Sequence, residues 1–224
     1  HWVDTRCDLD LVSLKTAESA FNYSGQKCSA CSRLYVHQEF LDIVLEKLVL
    51  YINNNLKSIG TNTYGVICDN SYNKTINVIK SLQQDPEIEF VWGGNYSKEF
   101  SYYIAPTIVI CKNPNHWVFN EEFFAPILAV YPYTIKQEGI SACLNSTPYA
   151  LTGAVFSDDS EFIEEANIIF ENSCGNFYIN DKSTGAVVGQ QPFGGFGISG
   201  TNDKAGDVSF MRRLCQQRNI KYSH

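Results

Sequence analysis

Short apolar runs alternate with segments of helical period along most of the chain, and this alternation limits the available folds more than any other feature. Apolar residues recur at intervals of three and four, as in an amphipathic helix, at 9–21, 38–56, 71–82, 135–144 and 158–170. The extended runs lie at 32–36, 88–92, 102–111, 127–133, 151–156 and 175–179. Alternating strands and helices predict an α/β fold with a parallel or mixed sheet flanked by helices.

Glycine, asparagine and proline mark the ends of these elements. Asn22-Tyr23-Ser24-Gly25 ends the first helix, and Gly60 follows the asparagine run that closes the second. Pro106 lies inside the 102–111 run. Because proline cannot donate a hydrogen bond to a neighbouring strand, an edge or bulged strand is expected there.

Residues 180–206 differ from the rest of the chain. They show no sustained period and contain seven glycines, at positions 185, 189, 194, 195, 197, 200 and 206. A loop of this length inside a compact domain is usually either functional or disordered.

The composition and charge argue against several classes of function. With 17 Lys and Arg against 24 Asp and Glu, the net charge is −7, and like charges do not cluster. Binding to nucleic acid or to an anionic membrane through charge is therefore not expected. No apolar run approaches the roughly 18 residues of a membrane span. The start, His1-Trp2-Val3-Asp4, lacks the basic and apolar regions of a signal peptide.

Eight cysteines are spread through apolar stretches of the chain, which is long enough to form a hydrophobic core without disulfide bonds. This distribution predicts free thiols in a reducing compartment rather than a disulfide framework. Asn-X-Ser/Thr triplets begin at 22, 73, 95 and 145 and point toward secretion, but such triplets arise by chance in an asparagine-rich chain.

Cys28 is the strongest candidate for a nucleophile, because it lies in a glycine-containing loop between a helix and a strand. A catalytic thiolate needs a lowered pKa, access to solvent and backbone N–H groups that can stabilise an oxyanion. Lys27 can raise the local positive potential, and the Cys28 amide can donate to the oxyanion. The alternative is a buried, inert thiol, which we expect for the other seven cysteines.

Two other motifs are weaker. Cys28 and Cys31 form a C-x-x-C pair, but no second pair or H-x3-5-H completes a zinc site, and Cys31 is more simply the first inward residue of the next strand. Gly195 to Gly200 match G-x-G-x-x-G, yet no strand precedes them and no helix follows. These glycines favour a loop whose backbone approaches a ligand, such as a substrate carboxylate.

Acids and histidines give little further signal. Glu121 and Glu122 precede an aromatic pair and a strand, and their simplest interpretation is a solvated turn. The histidines, at 1, 37, 116 and 224, lack the spacing of a metal site or of a catalytic triad, so no metal is expected.

Separated segments of the chain resemble the aldehyde dehydrogenase superfamily, and more closely its glutamate semialdehyde branch, the pyrroline-5-carboxylate dehydrogenases. They read GQKCSACSRLYV (25–36), YALTGAVFS (149–157), GNFYINDKSTG followed by GQQPFGG (175–195), and SGTNDK (199–204). The agreement runs in order over nearly the whole chain.

The resemblance implies a fold, a reaction and a compartment. Residues 1–206 would form the α/β catalytic domain, with a mostly parallel sheet flanked by helices, and 207–224 an extension toward an oligomerisation arm. The implied reaction is NAD-dependent oxidation of L-glutamate 5-semialdehyde to L-glutamate through a thiohemiacetal and a thioester. The family forms homo-oligomers, and it implies the mitochondrial matrix for a eukaryotic source and the cytoplasm otherwise.

The resemblance also implies roles for individual residues: Cys28 as nucleophile, Ser29 and the backbone of Gly195 and Phe196 at the carboxylate end of the substrate, and Glu122 and Phe124 as contacts to NAD.

The chain departs from the family at two positions and in length. Ala125 replaces the usual glycine, and its methyl group is expected to crowd the cofactor contact slightly. Phe196-Gly197-Ile198 replaces a small-Arg-small sequence and is expected to alter loop stability rather than chemistry. The family's enzymes are much longer, so we expect the N-terminal NAD-binding domain, its general-base glutamate and the oligomerisation arm to be missing here.

Two other functions stay open on the sequence. One is a non-catalytic structural or binding remnant of the family, and the other is a cysteine esterase that acts on activated esters without NAD. Thiolate chemistry at Cys28 and binding of NAD separate these functions from the first.

Overall fold

The computed structural model describes residues 1–56, 65–99 and 101–223, so the sequence prediction at Gly60 lies outside the described residues. The strands are β1 (Trp2–Val3), β2 (Arg33–His37), β3 (Ile88–Trp92), β4 (Tyr96–Ser97), β5 (Tyr103–Ile104), β6 (Thr107–Cys111), β7 (Ile127–Tyr133), β8 (Tyr149–Ala150), β9 (Thr152–Phe156), β10 (Asn176–Ile179) and β11 (Phe196–Gly197). The helices are α1 (Leu9–Phe21), α2 (Leu41–Asn55), α3 (Asp69–Gln84), α4 (Trp117–Asn120), α5 (Lys136–Asn145), α6 (Ser160–Ile169) and α7 (Val208–Arg213). Single turns of 3-10 helix, at Asn22–Gly25 and Gln38–Phe40, adjoin α1 and α2.

A seven-stranded sheet runs through the molecule in the order β10-β9-β1-β2-β7-β6-β3. Neighbouring strands are parallel except β3 and β6, which pair in antiparallel fashion at one edge. The α/β fold with a mostly parallel sheet, predicted from the alternation and from the family resemblance, is confirmed.

Helices cover both faces of the sheet, and this explains why its strands read as nearly continuous apolar runs. Leu34 and Val36 of β2 pack with α1 and α2 on one face. The intervening Tyr35 points to the other face, where it packs with Ala142 of α5 and Phe162 of α6. The helices α3 and α4 extend that second layer over β6 and β7.

The strand β1 was not predicted, because a run of two residues has no period to detect. Trp2 and Val3 are nevertheless fully buried, and β1 pairs with β2 on one side and with β9 on the other. The next residue, Asp4, is 1% exposed, and its carboxylate accepts hydrogen bonds from Lys136 at 3.0 Å and Ser157 at 2.9 Å. β1 therefore joins the two halves of the sheet.

The expectation of an edge or bulged strand at Pro106 is wrong. β6 lies inside the sheet, between β7 and β3, and Pro106 immediately precedes it. The first strand residue, Thr107, donates its N–H to the Pro126 carbonyl at 2.8 Å, so the missing proline N–H removes no bond from the strand ladder. A register shift does occur nearby, but in β3, between Phe90 and Trp92.

The helix boundaries agree closely with the sequence pattern. α1 spans Leu9–Phe21 as predicted, and the Asp8 side chain accepts hydrogen bonds from backbone N–H groups of its first turn. Tyr23 and Ser24 then adopt left-handed backbone conformations, with φ of 57° and 56°, which ends the helix.

Residues 180–206 are largely irregular, as predicted. They contain one short strand, β11, which pairs with β8, and an isolated bridge joins Phe193 to Ala205. Residues 207–223 carry α7 and are mostly exposed. The proposed domain boundary at 206 stays a prediction.

All eight cysteines are free thiols, and Cys28, Cys68 and Cys215 are exposed. None of the helices in the described ranges has the length and apolarity that a bilayer crossing requires.

Candidate active site

The candidate residues gather where the parallel strands begin. Cys28 precedes β2, Glu122 precedes β7, and Leu151 precedes β9. Because parallel strands begin at the same edge of a sheet, these three side chains converge there and line a cavity of about 230 Å³ together with Arg33 and Ser199. We call this the outer cavity.

Cys28 lies in a loop that we call the cysteine loop, residues 22–31. A turn closes around it, in which Ala30 donates its N–H to the Lys27 carbonyl at 3.0 Å. Before the turn, Gly25 adopts a left-handed φ of 67°, and a Cβ there would overlap the Ala125 carbonyl. Only glycine allows this close backbone contact, which presses the cysteine loop against the segment that carries Glu122.

Gln26 ties the cysteine loop to residues 65–67. Its side-chain oxygen accepts a hydrogen bond from the Ile67 N–H at 2.8 Å. Its amide nitrogen donates to the carbonyls of Tyr23 at 3.0 Å and Gly65 at 3.3 Å. One side chain therefore links the loop to a segment distant in sequence.

A buried polar chain supports the loop from behind. Ser183 is 3% exposed and donates its hydroxyl to the Ser29 carbonyl at 2.8 Å. Ser183 also lies 2.8 Å from the Ser19 hydroxyl and 3.1 Å from Nε2 of His1. The peptide that follows Cys28 is thus fixed by groups from the core.

The Lys27 amino group lies over the Tyr23 ring, 4.5 Å from its centroid. Partial burial, and then the positive charge of Lys182, lower the pKa of Lys27. The sequence suggested Lys27 as a source of positive potential for Cys28, and that role stays a prediction.

Glu122 and Phe124 lie on the segment that faces the cysteine loop. Glu122 lines the outer cavity with Cys28. Phe124 has a left-handed φ of 54° and is 46% exposed, so its ring is available for contact. Ala125 is 7% exposed and packs in the apolar cluster under α3 and α4. The slight crowding of the cofactor contact by its methyl group stays a prediction.

A second loop, residues 194–204, faces the outer cavity, and we call it the glycine loop. Phe196 pairs with Ala150 between β11 and β8, and a Cβ at Gly195 would lie 2.6 Å from the Ala150 carbonyl oxygen. Ser199 accepts a hydrogen bond from the Ala150 N–H at 3.0 Å and reaches the outer cavity. Strand pairing and a close contact therefore hold this loop on residues 148–151.

Glycine is required at 197, where the sequence departs from the family. Its φ is 59°, and a Cβ there would lie 2.5 Å from the Pro148 carbonyl oxygen. Lys204 fixes the other end of the glycine loop by donating to the carbonyls of Gly175 and, at 2.9 Å, of Gly194.

The structure brings only part of the candidate set into one cavity. Cys28 and Glu122 share the outer cavity, whereas Ser29, Phe124, Gly195 and Phe196 lie beside its described lining rather than in it. The roles implied for all six stay predictions.

Three further lining residues, Arg33, Tyr149 and Ser199, were not singled out from the sequence. Arg33 and Tyr149 stand at the starts of strands β2 and β8, whereas the predicted strands began at 32 and 151, so neither residue opened a predicted strand.

A histidine and two acids lie together away from this site. His116, Asp85 and Glu87 place their ligand atoms within 4.8 Å of one another. However, His116 accepts the Val118 N–H at Nδ1, at 3.2 Å, and bonds Asp85 through Nε2, at 2.9 Å. Nδ1 therefore caps α4 and Nε2 is bound to Asp85 at the end of α3, so both ring nitrogens are occupied, which favours a structural role.

Comparisons with known proteins agree with the geometry. A model of the aldehyde dehydrogenase family matches residues 1–220. The chain is 42% identical to the mitochondrial delta-1-pyrroline-5-carboxylate dehydrogenase of Emericella nidulans, over 99% of this chain and 40% of that protein. It is 38% identical to the protein of the same name from Danio rerio, over 100% of this chain and 42% of that protein.

Among solved structures, the chain is similar to the 1-pyrroline-5-carboxylate dehydrogenase of Thermus with bound NAD. The TM-score is 0.85 and the identity 36%, over 94% of this chain and 40% of that chain. The chain thus spans about 40% of the length of the relatives it matches.

Proposed function

Because the chain belongs to the aldehyde dehydrogenase family, we propose that it carries the nucleophile of an enzyme that oxidises L-glutamate 5-semialdehyde to L-glutamate with NAD. The observation that carries this proposal is the outer cavity, in which an exposed cysteine and an acid from a facing segment share one space. Relatives named delta-1-pyrroline-5-carboxylate dehydrogenase support the choice of substrate.

Cys28 performs the covalent chemistry in this proposal. Its thiolate adds to the aldehyde carbon and forms a thiohemiacetal, and loss of hydride from that carbon leaves a thioester. Water then breaks the bond between sulfur and carbon and releases the carboxylate product. The Cys28 N–H lies in the same turn and is placed to donate to the oxygen on which negative charge develops.

Glu122 and Phe124 are the residues that would hold the nicotinamide half of NAD. An exposed aromatic ring beside a carboxylate fits a ligand that has a flat ring next to ribose hydroxyl groups, since the ring can stack and the carboxylate can accept hydrogen bonds. When bound, NAD accepts the hydride.

The proposed contacts for the substrate's own carboxylate are the backbone of Gly195 and Phe196 and the side chain of Ser29. Glycine at 195 supports this assignment, because it lets the loop lie directly against Ala150 and Leu151, and Leu151 lines the outer cavity.

The proposed substrate is a small aldehyde, and the names of the eukaryotic relatives support a mitochondrial protein. The matrix and a homo-oligomeric assembly are proposed from the family resemblance alone.

The test measures two activities of the 224-residue chain. The first is NADH formation with glutamate semialdehyde and NAD, and the second is the burst of p-nitrophenol from p-nitrophenyl acetate, which needs only an active thiol. Cys28→Ser should abolish both, whereas Cys68→Ser, which removes another exposed thiol, should change neither.

Each outcome has a clear meaning. NADH formation that depends on Cys28 supports the full proposal. A Cys28-dependent burst without NADH supports the nucleophile and overturns oxidation by this chain alone. A burst that survives Cys28→Ser removes Cys28 from the mechanism.

A further inference from the structure

A second cavity lies behind the cysteine loop, on the face of the sheet that α5 and α6 cover. Its volume is about 90 Å³. It shares part of its wall with the outer cavity, namely Ala30, Ser32, Arg33 and Thr152. We call it the inner cavity.

The indole N–H of Trp2, on a residue that is 1% exposed, lies in the wall of the inner cavity and has no hydrogen-bond partner among the described residues. The hydroxyl of Tyr35, on a residue that is 2% exposed, lies in the same wall beside the Ser146 side chain, where burial raises the pKa of Tyr35 and a hydrogen bond with Ser146 lowers it by a smaller amount. A buried N–H without an acceptor is costly, and the indole group can only donate. A molecule or ion bound in the inner cavity could therefore supply the hydrogen-bond acceptor that the Trp2 N–H lacks.

The charge of the wall indicates what kind of acceptor fits. Arg33 is half-buried, and its guanidinium donates to the Phe119 carbonyl at 3.1 Å. In the described part of the chain it forms no ion pair with a carboxylate, and none of the described residues that line the cavity carries one. A cation so placed favours a negative guest over a neutral one.

Three thiols line the wall, those of Cys31, Cys143 and Cys174. The Cys31 thiol donates to the Arg33 carbonyl at 3.3 Å. Burial raises the pKa of Cys143, and it raises the pKa of Cys174 to about 11, so both are protonated at neutral pH. Glu122, the acid that shares a cavity with Arg33, lines the outer cavity and not the inner one.

The volume limits the size of the guest. A water molecule takes up about 30 Å³ in the liquid, so 90 Å³ holds about three waters or one small ion of the size of chloride, nitrate or formate. A nucleotide is too large.

We propose that the inner cavity binds one small monovalent anion, held by Arg33 and by the indole N–H of Trp2, with the Tyr35 hydroxyl as a further donor. The anion lies directly behind the wall that carries the Cys28 turn. This site is separate from the outer cavity, and it does not depend on the function proposed above.

The experiment measures chloride binding to the 224-residue chain by the broadening of the ³⁵Cl NMR line. The wild-type chain should give a saturable broadening that nitrate displaces. Arg33→Gln should weaken binding about tenfold or more, as expected for the loss of a charged hydrogen-bond donor, and Trp2→Phe should weaken it severalfold. Arg218→Gln, which removes an exposed guanidinium, is the matched control and should leave binding unchanged.

A second measurement locates the anion. Alkylation of Cys28 with iodoacetamide fills the outer cavity, and chloride binding should persist because the inner cavity is untouched. In crystals grown in bromide, anomalous scattering should give a peak beside Nε1 of Trp2. Trp2→Phe keeps an aromatic ring in the core and should therefore fold, so its chloride binding can be measured even if Arg33→Gln does not fold.

Four results would overturn the proposal. The first three are the absence of saturable broadening, binding that Trp2→Phe and Arg33→Gln leave unchanged, and an inner cavity that contains only water in bromide crystals. The fourth is loss of chloride binding on alkylation of Cys28, which would move the anion to the outer cavity.

Discussion

The cysteine loop and the glycine loop face the same cavity, but different parts of the chain hold them. The cysteine loop receives hydrogen bonds from Ser183, through the Ser29 carbonyl, and from the 65–67 segment through Gln26. The glycine loop is held by residues 148–151 and 175–176, which are also distant in sequence but are not the segments that support the cysteine loop. Each loop therefore has its own set of supports, and a change in one set should leave the other loop in place.

The largest effect expected from this comparison is at Gly25. Gly25→Ala combines a left-handed φ with overlap on the Ala125 carbonyl, and it should lower the free energy of unfolding by about 3 kcal/mol. Gly189→Ala is the matched control, because its φ is 84° but nothing lies within 4 Å, and it should lose about 1 kcal/mol. Urea unfolding measures both, and equal losses would mean that the backbone contact contributes nothing.

Lys204→Met should release the glycine loop alone. It removes an amino group that donates to the Gly175 and Gly194 carbonyls, with an expected loss of about 2 kcal/mol. Hydrogen exchange should become faster across 194–204, while the rate of Cys28 alkylation by iodoacetamide stays the same. A matching change in alkylation would show that the two loops are not held independently.

Ser183→Ala should affect the cysteine loop and leave the glycine loop unchanged, the reverse of Lys204→Met. It deprives the Ser29 carbonyl of a buried donor, and the expected loss of stability is about 1.5 kcal/mol. The rate of Cys28 alkylation should change, while hydrogen exchange across 194–204 stays unchanged. Ser209→Ala, at an exposed serine of α7, controls for loss of a hydroxyl. An alkylation rate identical to wild type in Ser183→Ala would remove the serine from the support of Cys28.

The smallest effect is expected at Gln26. Gln26→Met keeps the length of the side chain but loses its bonds to Ile67, Gly65 and Tyr23, and about 0.5 kcal/mol should be lost because these bonds are partly exposed. Faster hydrogen exchange at the Ile67 N–H would show that its hydrogen bond to the Gln26 side chain protects it in the wild-type chain. No change there would mean that the backbone contact at Gly25 is sufficient to fix the loop.

The sequence predicted the helices and most strands well, because their signal is local. α1, β3 and β7 have the predicted boundaries. β1 was missed because its burial comes from strands that lie far away along the chain, and the placement of Pro106 was wrong because sheet order cannot be read from a single strand.

The site was predictable only in part, for the same physical reason. Cys28 and the 194–200 glycines carry local signals, namely a reactive residue type and a loop composition. Ser183 donates a hydrogen bond to the Ser29 carbonyl across 154 residues of sequence. Arg33 lines two cavities whose other walls come from distant parts of the chain. No local sequence pattern predicts contacts between segments that lie so far apart.

The two-residue strand β1 has a consequence for how the chain is made. It pairs with β2 early in the sequence and with β9 near residue 155, so the sheet cannot close until residues 152–156 have left the ribosome. Ser183 and the glycine loop follow later still. During synthesis the Cys28 thiol is therefore exposed before the groups that support its loop are available.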